Sequence, residues 1–151
     1  VKWSFAQISL VIIAAFHVIQ AVIGFIVEPS FATGPDAPTA QVLGMDYNGW
    51  HAVAGLSLFA PGFVFAMRKS WSVLYLLIAA VAGALPGIWA FFSHQVAFVF
   101  TFPNNTTDAV VHLLTAAVML SVAAIQIRID GGLRNSLADL HSEPQPTRKS
   151  P

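Results

Sequence analysis

The sequence predicts an all-α protein: a four-helix transmembrane bundle, up-down, with both termini cytoplasmic. Three observations predict it. Of 151 residues, 56% are hydrophobic and 9% are charged, whereas soluble domains carry about 25% charged residues. Four stretches are long and apolar enough to cross a bilayer, which takes about 20 residues per helix. All seven Lys and Arg residues fall on one side of the bundle those stretches would form, and the positive-inside rule makes that side cytoplasmic.

The first span is Phe5 to Val27. Its apolar run is longer than the core of a signal peptide, about 7–15 residues, so "SFA" (Ser30 to Ala32) is expected to stay uncleaved. The outer loop from Glu28 to Asp46 contains Pro29, Pro35, Pro38, Gly34 and Gly44 and reads as irregular and mobile. The second span is Tyr47 to Met67 and the third Trp71 to Ser93. The short "MRKS" turn between them makes them antiparallel neighbours. Pro61-Gly62 and Pro86-Gly87 are expected to kink these helices, and Gly83 and Gly87, four apart, permit close helix approach. Trp3 and Trp71 fall at the inner interface and Trp50 near the outer one, where indole rings prefer to sit.

In the second outer loop, "HQVAFVFTFPNN", Phe98, Phe100 and Phe102 alternate and would share one face of an extended segment. They are a candidate surface for a partner, for lipid, or for the bundle itself. The fourth span is Asp108 to Ile129, closing a transmembrane domain over residues 1–129. The tail, 130–151, carries Leu133, Leu137 and Leu140 at helical spacing. These suit one short amphipathic helix at the inner interface or against a partner, followed by a proline-rich end that alone would be disordered.

Several classes are excluded. Without cysteine there is no disulfide, thiolate metal site or cysteine nucleophile. A formal net charge of zero gives no nucleic-acid footprint. The expected surroundings are the lipid bilayer of a plasma (inner) membrane; the opening valine fits a GTG start codon and a bacterial chain. Two sequons, at Asn104 and Asn105, face outward and matter only in a host that glycosylates.

The chemistry gathers at the outer rim. In "DYNGWHAVAGL", Asn48 and His51 are three apart and share a helix face. In "NNTTDAVVHLL", Asp108 and His112 are four apart and do the same. Both helices have their outer ends here, so these side chains and Asn105 can sit at similar depth, with His94 near enough to join. His17 lies apart, near the middle of the first helix, with Gln20 one turn further out.

"GFIVEP", "NGWHAVAGL" and "NNTTDAVVHLL" resemble the domain of unknown function 4383 family, small four-helix bacterial membrane proteins. The resemblance covers most of residues 5–127. Asn48, His51, Gly55, Asn105, Asp108 and His112 occupy the family's pattern positions, and the proline-rich tail lies outside the pattern. The family implies fold and location and lends no activity.

Three readings of the rim stay open. It can be structural: Asp108 caps the fourth helix, and the histidines bond across helices to fix register. It can bind haem b or a transition metal through His51 and His112, with His94 as a third ligand. It can begin a proton or solute path, although no acid or base lies in the inner half of any span. Nothing marks a nucleophile, so the chain is not expected to be an enzyme, and no cofactor is expected under the structural reading. The function expected is an accessory subunit that packs against and stabilises a larger membrane complex, with other membrane-protein subunits as partners and a homo-oligomer as a further option. A haem- or metal-binding redox protein is the alternative, and a proton or small-solute carrier the minor one.

Overall fold

A computed structural model of the chain describes residues 2–34, 36–93 and 105–140. Phe98, Phe100, Phe102, His94, Asn104 and the proline-rich end of the tail lie outside the described residues. The protein is mostly helical. Three helices are long and apolar enough to cross a membrane: α1 (Phe5–Val27), α4 (Lys69–Trp89) and α5 (Thr106–Ile129). Between α1 and α4 come β1 (Ala40–Val42), β2 (Met45–Tyr47), α2 (Gly49–Phe59) and α3 (Pro61–Phe65); α6 (Leu133–Ser136) and a 3-10 turn (Ala138–Leu140) follow α5.

Helix α1 starts and stops where its sequence says it should. Ser4 and Gln7 form a capping box: the Gln7 amide donates to Ser4 Oγ at 3.3 Å, and the Ser4 amide donates to Gln7 Oε1 at 3.0 Å. This satisfies two of the amides a helix start leaves open. Ile8, Ile12, Ile19, Ile23 and Ile26 stand exposed along one side of α1. On α4 the exposed set is Ile78, Val81, Leu85 and Ile88, and on α5 it is Val110, Leu114, Val118, Ile125 and Ile129. A surface of this kind costs free energy in water and is matched to lipid.

The loop expected to be irregular contains a β-hairpin. β1 and β2 pair antiparallel, with Ala40 opposite Tyr47, Gln41 opposite Asp46 and Val42 opposite Met45. The turn is Leu43-Gly44, with φ of +53° and +80°. Two successive positive φ values match the strand twist of a two-residue hairpin. Glycine takes this conformation freely, but leucine pays for its Cβ, and Leu43 is 72% exposed, so packing does not repay it. A Leu-Gly pair is a weak hairpin signal, which is why the sequence reads as loop.

The second span differs from its expected extent at both ends and in the middle. Tyr47 belongs to the hairpin, so the helix begins at Gly49. It breaks at Ala60, and Pro61 opens α3 as its first residue, the position where a missing amide costs nothing. The break is a division into two helices, α2 and α3, and not a bend. The Tyr75 hydroxyl donates to the Leu58 carbonyl beside the break. Pro86 stays inside α4, which ends at Trp89, short of the expected Ser93.

The main core joins Leu10, Phe59, Val73, Leu76, Met119 and small alanines of α1, α4 and α5. Gly62, against Ala14 and Leu10, lets α3 approach α1. A second, smaller core lies under the hairpin and is made of Val42, Met45, Tyr47 and Ala52.

The end of the bundle opposite the hairpin is tied by polar side chains. Gln126 accepts from the Ala6 amide at 3.1 Å, and Gln7 donates to the Ala66 carbonyl at 2.8 Å. Asp130 receives Lys69 at 3.0 Å, Gln126 at 3.1 Å and Ser136 at 2.8 Å. Ser70 donates to the Ser136 carbonyl at 2.6 Å. The tail segment therefore folds back onto its own bundle, as two short turns in place of the one amphipathic helix expected. Gly131 and Gly132, at φ +77° and +132°, permit the reversal. Leu137 packs on the main core, Leu140 is half-buried, and Leu133 is 48% exposed.

This knot makes a pH prediction. Burial alone would raise the Asp130 carboxyl, but the bonds from Lys69 and Ser136, the Lys69 charge and the Gln126 bond outweigh it and hold the group below its ordinary value. A lowered folded pKa gives stabilisation that is present above the unfolded value of about 4 and lost as pH falls through the folded one. Amide exchange in residues 131–140 should therefore be independent of pH-linked opening near neutrality and show added opening below about pH 4. Asp130→Asn should show that opening at every pH.

Candidate functional site

The hairpin is clamped between α2 and α5, and the rim residues do the clamping. Asn48 caps α2: its side chain is fully buried and accepts from the His51 amide at 3.1 Å. Asn105 caps α5, accepting from the Asp108 amide at 3.0 Å while its own side-chain amide donates to the Gly44 carbonyl at 3.0 Å. A glycan on that nitrogen would break the bond to the hairpin turn. Asp108, also fully buried, accepts two backbone amides on one oxygen, from Asn105 at 2.9 Å and from Asp46 at 3.1 Å.

His51 Nδ1 lies 2.6 Å from the Asp46 carbonyl, and as its N–H donates there. The Asp46 peptide groups are thus held from both sides, the amide by α5 and the carbonyl by α2. The other Asp108 oxygen has no hydrogen-bond partner and sits 4.0 Å from His51 Nδ1.

Sequence reasoning grouped Asn48, His51, Asn105, Asp108 and His112, and the structure brings all five to the hairpin end. The His51 and His112 ring centroids are 6.0 Å apart and their planes 15° apart. Tyr47, absent from the expected set, stacks on His51 at 4.1 Å and 7°. It crosses α1 at Gly24, where a Cβ would lie 2.2 Å from the Tyr47 ring.

A cavity of about 200 Å³ lies below this clamp, between the two cores. His17, Gln20, Tyr47, His51, Phe59 and His112 are among its lining residues, with Met45, Val111 and small apolar side chains completing the wall. His17, expected to stand apart, belongs here. It stacks on Phe59 at 4.0 Å, and its Nε2 is 3.1 Å from Thr115 Oγ1. Thr115 lies one turn past His112, and that i, i+3 spacing was the signal available to place His17. Close packing of α4 on α5 forms another wall: a Cβ on Gly87 would lie 2.6 Å from His112 Cβ.

Among the described residues no three His, Asp or Glu side chains converge as metal ligands. The carbonyl held by His51 Nδ1 is the kind of partner that orients metal-binding and structural histidines alike.

The profile of a family described as a domain of unknown function, DUF4383, matches residues 7–125. The chain belongs to the DUF4383 family. The matched span includes the hairpin, the clamp and the cavity, and it ends before Gln126, so the tail knot lies outside the DUF4383 region. No curated protein and no solved structure matches the chain.

Proposed function

We propose that this DUF4383 protein is a four-span, up-down protein of the bacterial inner membrane, with both termini cytoplasmic, and that it holds a small apolar ligand in the outer half of the bundle. The spans are α1, α2 with α3, α4 and α5. The observation that carries the reading is the cavity. Its walls are mostly apolar with a few convergent polar groups, the usual character of a small-molecule site. Nothing in the core fills it, and a cavity of about 150 Å³ already accommodates benzene.

Filling the cavity tests this. Val111→Phe places a ring in the space without adding a polar group. Small aromatic hydrocarbons should raise the unfolding temperature of the wild-type chain in detergent, since a ligand that binds only the folded state stabilises it. The rise should disappear in Val111→Phe. An equal rise in both proteins would refute the site.

The accessory-subunit reading keeps one supporting observation. Leu43 at the hairpin tip and Leu133 beyond α5 are apolar and exposed outside the long helices, where another protein could cover them. Co-purification of stoichiometric chains in mild detergent would favour it.

A further inference from the structure

Tyr47 is 5% exposed and lines the cavity, yet its hydroxyl has no hydrogen-bond partner among the described residues. A buried hydroxyl normally has one. It stands in a slot built from flat faces: the Tyr47, His51 and His112 rings are within 7° and 15° of parallel in successive pairs, and His17 stacks on Phe59 15° from parallel. No Lys, Arg, Asp or Glu lines the cavity. A charged ligand would therefore be desolvated without a counter-charge. A pure hydrocarbon would leave the Tyr47 hydroxyl unpaired.

The geometry points to a neutral, planar ring bearing a carbonyl oxygen that accepts from Tyr47, a ring of the quinone class, drawn from the surrounding bilayer. This rests on the ligand-holding reading above. A space of about 200 Å³ suits the head of such a molecule and not its full isoprenoid or alkyl tail. The role assigned is binding, and no electron transfer is assigned to the site.

The probes are a short-chain alkyl benzoquinone and an alkylbenzene of matched size, each titrated onto the full chain in detergent and followed by thermal shift. The chain has no cysteine, so the quinone cannot add to a thiol. The quinone should bind about tenfold more tightly than the hydrocarbon, and Tyr47→Phe should remove that difference while leaving hydrocarbon binding unchanged. Because the hydroxyl lacks a partner, Tyr47→Phe should fold as the wild type does, and Val111→Phe supplies a second variant that should lose both probes. If the two probes bind the wild type equally, or the quinone keeps its advantage in Tyr47→Phe, the ring class is wrong and the cavity reading survives. If neither probe binds, the cavity reading falls and takes this inference with it.

Discussion

Asp108→Ala should unfold the hairpin end of the bundle at a temperature well below the wild type. One carboxylate oxygen serves two backbone amides, at the start of α5 and on β2, and the group is fully buried. Removing it leaves two amides without acceptors, each costing roughly 1–3 kcal/mol, and removes half of the α5 capping box. The expected loss is about 2–4 kcal/mol on that basis. Asp108→Asn should lose less, because its carbonyl can still accept and only charge assistance is gone. Reversible thermal unfolding in one detergent, with all three proteins side by side, checks this. Equal stability of Asp108→Ala and wild type would show that the carboxylate is not the clamp.

Gly24→Ala should cost stability for a different reason. The added methyl would lie 2.2 Å from one Tyr47 ring carbon and 2.8 Å from two others. A ring stacked at 4.1 Å on His51 has nowhere to retreat without undoing the hairpin contact. Overpacking of this kind costs roughly 1–3 kcal/mol. Trimming the ring should relieve it, so Gly24→Ala with Tyr47→Ala should be more stable than the sum of the two single losses predicts, the signature of direct contact in a double-mutant cycle. Strict additivity would place the Tyr47 ring elsewhere.

The parts of this fold that were legible in the sequence are those set by local physics. The first span was read at its observed ends, because twenty-three apolar residues following a serine leave little choice. The rim group was legible because i, i+3 and i, i+4 spacings put Asn48 with His51 and Asp108 with His112. Their partners were hidden. Asp108 was expected to cap α5, and its second acceptor duty, to the Asp46 amide, depends on a hairpin whose Leu-Gly turn carries no strong signal. Tyr47 read as the first residue of a span because an aromatic residue suits both a strand and a membrane interface. Gln7 and Gln126 join α1 to the far ends of α3 and α5, and nothing local in the sequence announces bonds across so many residues. The cavity was least visible of all, since an unfilled space is a property of five elements together.

The most direct test of the ligand-holding account is native mass spectrometry of the full chain, released from mild detergent after extraction from its own membranes. The account predicts a 16.2 kDa chain carrying one small neutral adduct that Val111→Phe lacks. A bare chain in both proteins, or an adduct retained unchanged in Val111→Phe, would contradict it.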